Sequence, residues 1–75
     1  MEEKVIELIA RVLNVPTSEI EMDTEIGELD EWDSLHNVEI IVQLEKEFGV
    51  KITSDMIMDL EEVSDIVNLI KELTD

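Results

Sequence analysis

The sequence predicts an all-α domain: a bundle of three main antiparallel helices, one short helix, and a long loop between the first and second. Three observations lead there. Apolar residues recur at helical spacing in three separate segments. No run carries a strand or hairpin signal, an internal repeat or a low-complexity tract. Apolar residues make up 44% of the chain, an ordinary globular share, although Trp32 and Phe48 are the only aromatics. At 75 residues the chain supports one modest core, because domains near 60 residues bury only about 60% of their unfolded surface. Residues 1–75 are therefore read as a single domain.

The first helix is expected over residues 2 to 13, where Val5, Leu8, Ile9, Val12 and Leu13 fall at i, i+3, i+4, i+7 and i+8. Glu2 and Glu3 suit its start, and Asn14 and Pro16 mark its end. From Val15 to Trp32 the periodicity stops. Ile20, Ile26 and Leu29 are expected to strap this loop across the bundle, and Ser18 followed by Glu21 has capping-box spacing for a single turn. The clearest helix spans Ser34 to Phe48, closed by Gly49 as a left-handed cap with Val50 behind it. Its apolar arc is too wide for one contact. Ile40, Ile41, Leu44 and Phe48 form the core face, and Leu35, Val38 and Val42 form a second stripe that a small bundle does not need. Thr53, Ser54 and Asp55 offer caps for a short helix from Asp55 to Leu60, and Ser64 for a final helix to about Leu73.

Charge narrows the function. With 21 Asp and Glu against 5 Lys and Arg the net charge is −16, which argues against nucleic-acid binding, since phosphate contacts need a basic face. A membrane surface is disfavoured for the same reason, and no apolar run approaches the roughly 18 residues of a span. The opening MEEKVIELIARVLN is too charged for a signal peptide, so a cytoplasmic protein is expected. Without cysteine, and with His36 as the lone histidine, neither a disulfide nor a zinc cage can form, and no metal site is expected. Asp33, Ser34 and His36 supply the residue types of a hydrolytic triad, but sequence neighbours cannot place the imidazole between hydroxyl and carboxylate. The acids from Asp23 to Asp33 miss the calcium-loop pattern, Gly27 standing one place early. No catalytic residues are assigned, and the chain is not expected to be an enzyme.

Ser34 stands where the irregular loop meets the strongest helix, beside backbone N–H groups that favour an anion. Taken alone, Ser34 or Asp33 caps that helix. The surrounding run EWDSLHNVEIIVQLEKEFGVKI resembles the core motif of the acyl carrier protein family. The resemblance lies in the Asp33-Ser34-Leu35 triplet, in Glu39 and Leu44 on the helix, and in Glu47-Phe48-Gly49 followed by Val50, Lys51 and Ile52. It extends over essentially the whole chain, including the GELDEW segment upstream.

The resemblance implies an acyl-carrier-protein-like bundle and a serine, Ser34, that carries 4′-phosphopantetheine taken from coenzyme A by a phosphopantetheinyl transferase. Acyl groups would ride on the arm's thiol as thioesters, for fatty-acid, polyketide or related biosynthesis. The missing cysteine is thereby explained. Asp33 and Leu35 would be read by the transferase. Leu35, His36, Val38, Glu39, Val42 and Lys46 would face the basic docking patches of loading, condensing and transferring enzymes. Leu44, Ile52, Ile57 and Leu60 would bound an acyl channel between the second and third helices, or simply pack in the core. His36 and Lys46 interrupt the acidic character of the docking helix, which points to partner choice unlike that of the central fatty-acid pathway, or to neutral surface variation. Trp32 resembles carriers of specialised pathways, and equally suits a loop anchor packed on the second helix. A monomer is expected. The competing reading is an unmodified acidic helical interaction module that binds a basic partner without serine chemistry.

Overall fold

The computed structural model describes residues 1–74. Among these described residues four α-helices follow in order, α1 (Glu2–Leu13), α2 (Ser34–Phe48), α3 (Ser54–Met58) and α4 (Val63–Thr74), with a single 3₁₀ turn at Thr17–Glu19. Helices α1, α2 and α4 form the bundle, and Val5, Leu8, Ile9, Ile40, Leu44, Val63, Ile66, Val67 and Ile70 are its fully enclosed residues. The molecule measures 29 × 22 × 21 Å.

Local chemistry sets the helix ends. Asn14 takes φ 59° and ψ 45°, and Val15 N–H returns to the Ala10 carbonyl at 3.0 Å, which stops α1. Gly49 takes φ 64° with no heavy atom close to where its Cβ would stand, so glycine serves backbone geometry there rather than space. Val50 N–H then bonds the Glu45 carbonyl at 3.2 Å, and Val50 packs against the core as the hydrophobic part of the cap. The Glu45 carboxylate accepts from Ile52 N–H at 2.9 Å, tying the α2–α3 connection back to α2 and turning Ile52 inward.

Three local expectations are corrected. The turn at residues 17–19 has no side-chain cap, and Ser18 and Glu21 form no capping box; Glu21 N–H goes instead to Thr24 Oγ1 at 2.9 Å. The short helix starts at Ser54 and ends at Met58, because Thr53 is the residue that caps it, accepting from Met56 N–H at 3.3 Å. Ser64 does not cap the final helix. It lies inside α4, and the Asp65 carboxylate reaches back to the Glu61 and Glu62 N–H groups at 3.0 Å each, as the returning arm of a capping box does.

The long loop is held more firmly than its apolar anchors alone would hold it. Ile20 is buried, and Ile26 and Leu29 are half-buried. The backbone also pairs with the start of α4: Ile26 N–H to Glu61 O at 2.9 Å, Val63 N–H to Thr24 O at 3.0 Å, and Ser64 N–H to Met22 O at 2.9 Å. This pairing satisfies N–H groups at the α4 start that would otherwise lack partners, and it buries Thr24. Trp32 closes the loop against α2, 3% exposed, with its indole N–H donating to Asn37 Oδ1 at 3.0 Å. It is a loop anchor.

Candidate functional site

The strongest chemical feature is the first turn of α2. Asp33 is the N-cap, with extended backbone (φ −91°, ψ −178°), and its Oδ1 accepts the His36 backbone N–H at 2.9 Å. The His36 ring places Nδ1 2.7 Å from the same oxygen. Hydrogen bonds to the His36 backbone, then to its ring, hold the Asp33 carboxyl below the usual aspartate value. Asp33 rather than Ser34 therefore caps the helix. Ser34 is the first helical residue, exposed, and its hydroxyl is left out of the cap.

The two faces of α2 separate as its sequence requires. Ile40, Ile41 and Leu44 are buried, whereas Leu35 is 75% exposed, Val38 61% and Val42 39%. Leu35, Val38 and Val42 follow one another at i, i+3 and i+7, so they form a single stripe running away from Ser34. Glu39 and Lys46 are exposed beside it, and His36 is half-buried over Asp33. Glu47, on the same helix, pairs with Arg11 of α1 at 3.0 Å.

Comparison with known proteins gives the family and the fold. A family model described as "Phosphopantetheine attachment site" matches residues 3–70. An acyl carrier protein of Rickettsia bellii is 40% identical over 72 residues, covering 96% of this chain and 84% of its own. One of Rickettsia canadensis is 39% identical with the same coverage. The chain belongs to the acyl carrier protein family. Among solved structures, the solution structure of a holo acyl carrier protein from Geobacter metallireducens superposes with a TM-score of 0.87 at 22% identity, over 96% of this chain and 83% of that one, which establishes the shared fold. Acyl carrier proteins are carriers, not enzymes, and the family's cofactor is covalent 4′-phosphopantetheine.

The residues at the start of α2 suit that cofactor. An exposed primary hydroxyl, free of the capping bond, opens a helix whose first N–H groups face an anion favourably, and the chain lacks a thiol of its own. Among the described residues no group of three or more His, Cys, Asp or Glu could hold a metal, and no helix is long and apolar enough to cross a membrane.

The four residues expected along an acyl channel divide. Leu44 and Ile52 are core residues, enclosed from solvent. Ile57 and Leu60 are half-buried at the margin, and Leu60 lines a groove of about 340 Å³ between α3 and α4 with Met56, Leu69 and Leu73. Three contributors to the site region escaped the sequence reading. Asn37 anchors Trp32, Glu45 fixes the connection to α3, and Met58, 80% exposed, adds an apolar surface on α3. Asn37 alone had a local signal, one turn beyond Ser34 on the same helix face.

Proposed function

We propose that residues 1–75 act as one carrier domain whose attachment point is Ser34. The observation that carries the reading is the division of labour at the start of α2: Asp33 does the capping, and the adjacent hydroxyl is exposed and uncommitted. In loading, Ser34 Oγ bonds to the phosphorus of the phosphopantetheine moiety of coenzyme A. The diphosphate P–O bond breaks, adenosine 3′,5′-bisphosphate leaves, and the transferase accepts the hydroxyl proton. When attached, the arm supplies the terminal thiol on which acyl groups are held as thioesters. Asp33 and Leu35, flanking Ser34, are the residues the transferase reads.

The exposed stripe of Leu35, Val38 and Val42, with His36, Glu39 and Lys46 around it, is the docking surface for loading, condensing and transferring enzymes. A net charge of −16 steers it toward basic patches and makes encounter salt-sensitive. The acyl group, of fatty-acid, polyketide or related origin, reaches Ile57 and Leu60 first and passes Leu44 and Ile52 only if α2 and α3 separate. The protein works as a cytoplasmic monomer. The test is intact mass before and after incubation with coenzyme A, magnesium and a broad-specificity phosphopantetheinyl transferase. One arm is gained by the native chain and none by Ser34→Ala. Absence of gain on the native chain, with the transferase active on a control carrier, overturns the reading in favour of an unmodified acidic interaction module.

A further inference from the structure

A shallow groove of about 210 Å³ opens beside Ser34, walled by Ile26, Gly27 and Trp32 of the long loop and by Asp33, Ser34 and Asn37 at the start of α2. Its loop side combines the Ile26 side chain with backbone. Ile26 is half-buried, the Trp32 ring is packed against α2, and Gly27, at φ 89°, leaves bare backbone between them. Its helix side is polar and held in place. Asn37 commits Oδ1 to the Trp32 indole N–H, which fixes the carboxamide and leaves the Nδ2 hydrogens as donors. Asp33 is the one charged residue among the six, and its Oδ1 is taken up by His36.

We propose that this groove seats the proximal pantetheine portion of the arm on Ser34 whenever no partner enzyme has drawn the arm away. The proposal rests on Ser34 being the attachment point. Pantetheine is an uncharged chain in which alkyl and amide segments alternate. The open edge of Ile26 matches an alkyl segment, Trp32, buried behind it, keeps the wall rigid, and the Asn37 amide hydrogens match an amide carbonyl, which is the mix of apolar wall and few fixed polar groups that small-molecule sites use. Because the tether begins on a wall residue, occupancy is intramolecular. Short tethers give effective concentrations of order mM, so contacts too weak to hold free pantetheine suffice. The volume sets the limit. About 210 Å³ lies below the roughly 300 Å³ at which sites begin to enclose whole drug-sized ligands, so the thiol end and its cargo stay outside. Asn37 and Val38 are sequence neighbours, about 100° apart around the helix, so an arm lying over Asn37 leaves the Leu35–Val38–Val42 stripe open for docking.

The test uses the isotopically labelled full chain in apo form and loaded with an unlabelled arm, with loading confirmed by mass. The Trp32 indole N–H and the Ile26 and Gly27 amides shift between the two forms, and isotope-filtered NOEs connect the arm's methyl protons to the Trp32 ring and the Ile26 methyls. In Ile26→Ala the mass gain is retained, while the arm's NOEs to Trp32 weaken. Shifts confined to residues 33 to 36, or arm NOEs to Leu35 and Val38 instead, overturn the seat while leaving attachment intact. Failure of the native chain to gain mass overturns the attachment reading and the seat with it.

Discussion

Leu44→Ala and Val38→Ala, six positions apart on α2, should separate the two faces of that helix in opposite directions. Leu44 is fully enclosed, so truncation removes buried carbons and leaves a cavity, at a cost of about 2 to 5 kcal/mol. For a chain of this length the whole stability is roughly 4 to 11 kcal/mol at ordinary values per residue. With about 4 to 8 °C lost per kcal/mol in a domain of this size, the midpoint falls by about 8 °C or more. Val38 is 61% exposed, so its truncation forfeits little burial, and alanine is the better helix former by up to about 0.7 kcal/mol. Its midpoint should hold or rise slightly. The assay is thermal unfolding followed by far-ultraviolet circular dichroism at fixed salt, paired with the rate of acyl transfer to a cognate partner. Val38→Ala should lose transfer while keeping stability. A destabilisation above about 1 kcal/mol at Val38, or none at Leu44, would refute the division of α2 into core face and docking face.

Ser34→Ala should change stability by no more than about 0.5 kcal/mol, since Asp33 makes the capping bond, and urea titration checks this. Asn37→Ala should cost about 1 to 3 kcal/mol by stranding the Trp32 indole N–H, and should alter the emission of this sole tryptophan. Because Asp33 titrates below its usual value when folded, its contribution is complete above the ordinary aspartate value and is lost as pH falls through the depressed one. The stability difference between the native chain and Asp33→Asn should therefore change in that acid window. Added salt should raise the unfolding midpoint by screening the net charge of −16, and slow association with a basic partner; an optimum at low salt would contradict this.

Features encoded within a few residues were legible in the sequence. Asn14 and Gly49 end their helices by left-handed backbone, the wide apolar arc of α2 splits into buried and exposed stripes, and α2 begins at Ser34 where the irregular loop ends. Where several neighbours are chemically equivalent, sequence does not choose between them. Thr53, Ser54 and Asp55 could each cap α3, and Thr53 does. The cap of α4 was missed for a different reason: Asp65 reaches backwards, and Met22, Thr24 and Ile26 bring a distant strap of backbone to the same place. Tertiary contact also decided Trp32, whose partner Asn37 lies five residues on. In the same way Leu44 and Ile52 carry the hydrophobicity of a channel wall and of a core residue alike, and packing places them in the core.

Attachment is the claim on which docking, channel and seat all depend, and site-resolved fragmentation of the transferase-treated chain tests it most directly. Ser18, Ser34, Ser54 and Ser64 all offer the same hydroxyl. Phosphopantetheine is expected on Ser34 alone, with the other three unmodified. An arm on any other residue, or an arm persisting in Ser34→Ala, would contradict it.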